Sequence, residues 1–229
     1  MGAALLRAAY AAVVTEDYAV PTGNDRPEYD LLLPADWRQR PDAHADATDR
    51  ITAAERAGLR FFVERLNYRW TPECGLPPRS SRLRFEPATD DALVTDVLAD
   101  LCTDTLDGYA LRDVQRYGVR RAAELTIEET EAMHGGRTWW RLGYDRAGDV
   151  VGIVLPTLTT DFATLAYVGV VPAHRGNHYS DDLVTEALHL ITEDGHTVMY
   201  DATDLGNAPM AATFERVGYR PAGRRVVML

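Results

Sequence analysis

The densest concentration of chemistry in this chain is the run Val170-Val171-Pro172-Ala173-His174-Arg175-Gly176-Asn177-His178-Tyr179-Ser180. It follows an apolar stretch, residues 162–171, that reads as a buried strand. It leads into residues 180–193, where Leu183, Val184, Ala187, Leu188 and Ile191 recur at helical spacing. The order is therefore strand, tight turn, helix start. A helix start offers unpaired backbone N–H groups and the positive end of the helix dipole, and so suits a phosphate. Arg175 can add charge-assisted hydrogen bonds to the same anion. Alone, an Arg-Gly turn before a helix is also what an ordinary surface turn looks like.

The surroundings sharpen the reading. Val-x-Pro-x-x-Arg-Gly after an apolar strand resembles the acetyl-CoA-binding motif of the GNAT-type N-acetyltransferase superfamily. Further on, Asn207 and then Phe214-Glu215-Arg216-Val217-Gly218-Tyr219 resemble its C-terminal signature. The run from Asp204 to Ala211 is similar to a bacterial subgroup of that superfamily. The resemblance covers residues 82–229 and implies strands near 164–171 and 197–202 that splay into a V for the pantetheine arm. By the same resemblance, Gly169, Val170 and Val171 would pair with that arm as a neighbouring strand does. The amides of Arg175, Gly176, Asn177, His178, Tyr179 and Ser180 would hold the pyrophosphate. Asn207 would hydrogen-bond the pantetheine, and Phe214 would line the slot near the thioester. The Val170 amide would stabilise developing oxyanion charge there.

Two departures from the superfamily pattern carry consequences. Its loop places Gly where this chain has His178, and Gly or Ala where it has Ser180. Ser180 is small and could cap the helix. The His178 side chain either swings outward and adds charge when protonated, or remodels the turn and weakens its hold on the cofactor. Asp181 and Asp182 would oppose an anion unless they point away. The second departure is Phe214, at the position where many members carry a Tyr that protonates the leaving thiolate. The nearest groups able to move protons are Tyr167, as acid or hydrogen-bond donor, and Asp204, as base directly or through water. Each also has a plain reading, Tyr167 as a sheet-packing aromatic and Asp204 as a turn carboxylate. His174 and His178 flank a Pro and Gly turn with no third ligand apparent in the sequence, so no metal site is expected.

The elements that must position these residues follow from periodicity and turn signals. Strands are expected at 28–33, 59–70, 82–86, 137–144, 150–155, 162–171, 197–202 and 219–229. Helices are expected at 49–57, 89–105, 111–133, 180–193 and 208–216, with Gly58 closing the first of them. The fold class is α/β (α+β): a mixed central sheet with splayed strands and helices on both faces. A turn-rich stretch at 74–81 divides residues 1–80, a small N-terminal extension packing on the rest, from the main domain, 81–229. Glu55-Arg56-Ala57-Gly58-Leu59-Arg60 echoes Glu215-Arg216-Val217-Gly218-Tyr219-Arg220, with Arg65 standing where Arg225 does. That echo is either shared helix–Gly–strand physics or the remnant of a duplicated domain. One strand follows the last helix where the superfamily often has two. Residues 59–70 or a second subunit could supply the missing one, which leaves a homodimer open.

Composition bounds the function. With 229 residues and 46% apolar content the chain can bury a core, and its net charge of −11 argues against a general nucleic-acid binder. All 24 basic residues are Arg. No apolar run is long enough to span a bilayer, so no membrane partner is expected. Residues 3–14 read as an N-terminal helix rather than a signal peptide. Cys74 and Cys102 match no metal or redox spacing, and the reading is cytoplasmic. Trp139-Trp140 should send its two indoles into different layers, and Glu124, Glu128, Glu129 and Glu131 form a solvated helix face. The expectation is an acetyl-CoA-dependent N-acetyltransferase acting on a small-molecule amine by direct transfer. The alternatives are a non-catalytic CoA- or acyl-CoA-binding protein of this fold, or a partner-binding one that has lost the cofactor.

Overall fold

The computed structural model describes residues 18–20, 28–34 and 36–229; the N-terminal helix expected at 3–14 lies outside them. Among the described residues, nine strands form one sheet: β1 (Tyr18–Val20), β2 (Glu28–Leu33), β3 (Phe61–Trp70), β4 (Arg84–Pro87), β5 (Arg141–Tyr144), β6 (Val150–Leu158), β7 (Ala163–Val170), β8 (Met199–Asp204) and β9 (Arg220–Met228). The helices are α1 (Ala45–Arg56), α2 (Asp91–Thr103), α3 (Gly108–Tyr117), α4 (Val119–Glu131), α5 (Tyr179–Glu193) and α6 (Ala208–Arg216). The sheet order is β1-β2-β9-β3-β8-β7-β6-β5-β4. The β7–β8 pair is parallel, whereas the other neighbours are antiparallel.

Local chemistry explains most boundaries. Asp90 caps α2 by accepting from the Ala92 and Leu93 amides, and Asp107 caps α3 by accepting from Ala110. The single helix expected at 111–133 is two, because Gly118 takes φ +82° between them, a conformation that stops one helix and lets the next start at a new angle. The first expected helix begins earlier, at Ala45, with no side-chain cap from His44. Part of the expected strand 137–144 is a 3-10 turn, Gly136–Trp139, and β5 starts only after it.

Helices cover both faces of the sheet. On one, Leu98 and Leu101 of α2 and Ala123 and Ile127 of α4 pack with Leu142, Ile153 and Leu155. On the other, Val184, Leu188 and Ile191 of α5 and Phe214 of α6 meet Tyr68, Trp70 and Met199. Trp140 belongs to the first cluster and Trp139 to the second, so the paired indoles do part between layers.

The N-terminal segment enters the sheet itself. β3 lies between β8 and β9, in the place of the strand missing after α6, so this chain fills the gap without a second subunit. The units β2–α1–β3 and β8–α6–β9 share one order, and each last strand pairs with the other unit's first strand. β3 and β9 run antiparallel side by side with Arg65 directly opposite Arg225, the two residues that the sequence echo matched. The packing repeats too: Ala54, Leu59 and Val226 join α1 to β2 and β9, as Phe214, Tyr219 and Leu66 join α6 to β3 and β8. The arrangement is that of two strand–helix–strand units exchanging last strands across a local two-fold axis.

β7 and β8 meet at one register position, Ala163 opposite Met199, and then separate. Sequence accounts for the separation. Pro156 in β6 has no N–H to give, and beside it the β6–β7 register slips: Leu155 faces Tyr167 while Pro156 faces Leu165, leaving Ala166 as an extra residue. The bulge, which bends the strand that carries it, falls just beyond the point where β7 and β8 part. The buried carboxylate of Asp201 fills the crotch, its Oδ1 accepting from the Leu165 amide at 2.6 Å and from Thr164 Oγ1 at 3.1 Å. A side chain thus takes the amide that a β8 carbonyl would hold in a closed sheet.

Burial raises the Asp201 carboxyl from its ordinary value of 3.8 to about 6, against the lowering effect of the Leu165 amide and the Tyr219 and Thr164 hydroxyls. A folded value above the unfolded one means that this group's contribution to stability is greatest below about pH 4, declines as pH rises toward 6, and is flat beyond. Asp201→Asn retains an acceptor and removes the titration. Its stability relative to wild type should rise by about 3 kcal/mol between pH 4 and 7, from two pK steps of about 1.4 kcal/mol each. Denaturant unfolding across that range measures the difference; a pH-independent difference would contradict it.

Candidate functional site

Beyond the crotch, the parted strands border a slot of about 380 Å³. Tyr167, Val168, Gly169 and Val170 of β7 form one wall; Asn207, Pro209, Met210 and Thr213 form another; Leu101, Asp104, Thr105 and Leu106 close a third side. Gly169 lets α2 come close, since a Cβ there would lie 2.9 Å from Leu101 Cδ1. The Val171 amide donates to Val151 of β6, so by strand alternation the Val170 amide points the other way, to the open edge of β7.

The turn at the mouth brings His174, Arg175, Gly176, His178, Tyr179 and Ser180 to the slot. Among the described residues, the backbone amides of Gly176, Asn177, His178, Tyr179 and Ser180 have no hydrogen-bond partner, and they run into the start of α5. His178 is the N-cap of α5, with φ +59° and ψ +24°. The departure from Gly therefore concerns the backbone: a side chain in this left-handed region costs about 1–2 kcal/mol. The ring itself is exposed. Ser180 is not the cap expected of it; its hydroxyl meets Thr213 Oγ1 at 2.8 Å and ties α5 to α6.

The acids of the first turn are turned aside. Asp181 accepts both Arg216 Nε and an Arg216 terminal nitrogen at 2.7 Å, and Asp182 is paired with Arg82. Arg175 donates to Asp104 Oδ2 at 2.8 Å and to the Val170 carbonyl at 3.2 Å, which spans the slot mouth.

Four of the residues selected from sequence do not line the slot. Val171 is buried in the β6 pairing, and Asn177 folds its side chain back onto the His174 and Arg175 carbonyls. Phe214 is 2% exposed, its ring between those of Tyr68 and Tyr219 at centroid distances of 5.1 and 4.9 Å. The α6 side chains at the slot are instead Pro209, Met210 and Thr213, because the helix turns Phe214 onto β3. Asp204 is buried, with Oδ2 accepting from the Gly108 amide at 2.6 Å and Oδ1 3.0 Å from Arg65 Nε. Burial raises its carboxyl and Arg65 lowers it. Arg65 also reaches Asp107, the α3 cap, and the Ala202 carbonyl. Asp204 thereby anchors α3 to β8, a holding role rather than that of an open base.

Asn207 caps α6, its Oδ1 accepting from Met210, which leaves only its Nδ2 to donate to a ligand. Tyr167 is at the slot, beside Cys102 and Thr105. Burial, reinforced by Cys102 and Asp107, raises its phenol well above the ordinary 10 and keeps it protonated, a donor rather than a base. Sequence reasoning missed Met210 and Thr213, which no motif marks, although Thr213 is one residue from the position chosen. His174 lies near Asp145 and Asp149, with one ligand atom of each within 4.8 Å of the others. Asp145 Oδ1 already accepts the Ala147 and Asp149 amides of its own turn.

Among the described residues, no helix is long and apolar enough to cross a membrane. No curated protein matches the sequence. Solved structures do. A GCN5-related N-acetyltransferase from Sphaerobacter thermophilus superposes with a TM-score of 0.56 at 15% identity over 88% of this chain and 58% of that one. A tandem GNAT protein from the clavulanic acid biosynthesis pathway, solved without AcCoA, gives 0.53 at 18% over 78% and 57%. This chain thus spans under two thirds of those two proteins. A GCN5-related N-acetyltransferase from Kribbella flavida gives 0.52 at 15% over 99% and 94%. At such identities these likenesses establish the fold. The sequence profile of the acetyltransferase (GNAT) family matches residues 104–219, just over half of the chain, and reaches from the Asp104 side of the slot through the turn to Tyr219: this chain belongs to the GNAT acetyltransferase family.

Proposed function

We propose that this protein transfers an acetyl group from acetyl-CoA to the amine of a small molecule, directly and within a ternary complex. The observation that carries the reading is the row of unpartnered amides at the start of α5, opening into the same slot as the free edge of β7. Such a row, with a helix dipole behind it and Arg175 beside it, suits a diphosphate. An open strand edge suits the amide-bearing pantetheine arm. Acetyl-CoA supplies an activated acetyl thioester.

The residues then divide the work. The Val170 amide is available to hydrogen-bond the acyl oxygen. Tyr167, protonated at neutral pH, donates to the acyl oxygen or to the sulfur as it leaves. Arg175 exchanges Asp104 for the phosphates. Asp104 at the slot and Asp107 and Asp113 on the adjoining helix favour a cationic amine over an anionic acceptor. The amine proton passes to water, since Asp204 is engaged by Arg65 and Gly108. Cys102 is buried with its thiol raised by that burial, which suits direct transfer better than an acyl-cysteine. Both cysteines are free, in keeping with a reducing compartment such as the cytoplasm.

The burial of Phe214 favours one competing reading, a CoA-binding protein without transfer activity. Thiol release from acetyl-CoA across a panel of primary amines separates the two, because a binding protein releases none. Arg175→Ala should weaken acetyl-CoA binding in calorimetry by about 1–3 kcal/mol, the range for one charged hydrogen-bond donor; unchanged affinity would contradict its placement. Tyr167→Phe should lower the turnover of an accepted amine by about 100-fold, the scale of one proton-transfer group, while acetyl-CoA affinity stays within about twofold. Full activity in that variant would remove Tyr167 from the chemistry.

A further inference from the structure

We infer that Arg82, in the segment before β4, is a positioning residue that holds the phosphate-facing turn in its binding shape and lets a histidine occupy the left-handed position at 178. The inference rests on the acetyl-CoA reading above. Arg82 donates from one terminal nitrogen to the Asn177 carbonyl at 2.9 Å and from the other to the His178 carbonyl at 3.3 Å. Those carbonyls belong to the two peptide planes that flank the His178 Cα, and the orientation of those planes is what φ and ψ at 178 describe. In each plane the N–H points opposite to the C=O. Holding both carbonyls on the outer side therefore directs the His178 and Tyr179 amides inward, where their chain segment lines the slot.

The guanidinium is itself fixed. Asp182 pairs with it, and the Tyr179 ring lies 5.0 Å beneath its central carbon. Ser80 Oγ accepts from both the Arg82 and Leu83 amides, and Leu83 is buried, so the backbone under the clamp is anchored to the core. The planar fork of Arg can serve two carbonyls and a carboxylate together, whereas a Lys ammonium is a single point charge on a flexible stem. Glycine would hold the left-handed conformation unaided. In this chain the clamp stands in for it.

The test is a set of variants titrated with acetyl-CoA by calorimetry, with melting temperatures to confirm folding. Arg82→Ala should bind about tenfold more weakly than wild type, and Arg82→Lys should resemble it, because charge without the fork does not hold the turn. His178→Gly should bind as tightly as wild type or more tightly. Adding His178→Gly to Arg82→Ala should restore affinity to within about threefold of His178→Gly alone. Wild-type affinity in Arg82→Ala, full affinity in Arg82→Lys, or a double variant as weak as Arg82→Ala would each overturn the inference while leaving acetyl-CoA binding intact. Absence of binding by the wild-type chain would instead overturn the cofactor reading, and this role with it.

Discussion

A hydrogen bond from a strand amide to a side chain, where a sheet would use a backbone carbonyl, sets the architecture of this protein. Leu165 gives its N–H to Asp201, and from that point β7 and β8 have no reason to pair. The proline at 156 and the extra residue at 166 interrupt the β6–β7 register beside that point. The edge left unsatisfied is what a closed sheet would have consumed, and it is available to a ligand that can hydrogen-bond like a strand. The cost is a buried carboxylate, offset by the amide and two hydroxyls around it.

A second theme is charge placed to release backbone groups. The acids that begin α5 would repel an anion, yet Arg216 and Arg82 each take one away from the amides. Arg65 works the other way at α3, holding Asp204 and Asp107 together while they accept the Gly108 and Ala110 amides, so that the N-terminus of α3 docks against β3 and β8. Phe62 of β3 and Tyr109 of α3 meet edge to face there. The N-terminal segment thus braces α3 and β8 beside the slot, through a strand between β8 and β9 that carries Arg65.

What was legible in the sequence was local. The turn from Pro172 to Ser180 and the helix after it follow from residue types within a dozen positions. Helical phase was harder: residues 213 and 214 both fit the α6 pattern, and only the presence of Tyr68 across the layer decides that Phe214 turns inward. Pairings between distant segments were legible at most as alternatives: residues 59–70 were one candidate for the missing strand, but their place between β8 and β9 and the reach of Arg82 to the turn 95 residues away come only from the structure. Gly118 could be read as a tolerated helix residue, and its backbone angle is set by where α3 and α4 must pack. The echo between 55–65 and 215–225 was visible as letters, but its meaning as an exchange of strands required the register.

The central claim is that one ligand spans the open edge of β7 and the amides that start α5. Backbone hydrogen exchange, with and without acetyl-CoA at saturating concentration, tests it at the residues concerned. The account predicts added protection at 168–170 and at 176–180 together, with little change in β4 or β5. Protection absent from both segments, or confined to another part of the chain, would contradict it.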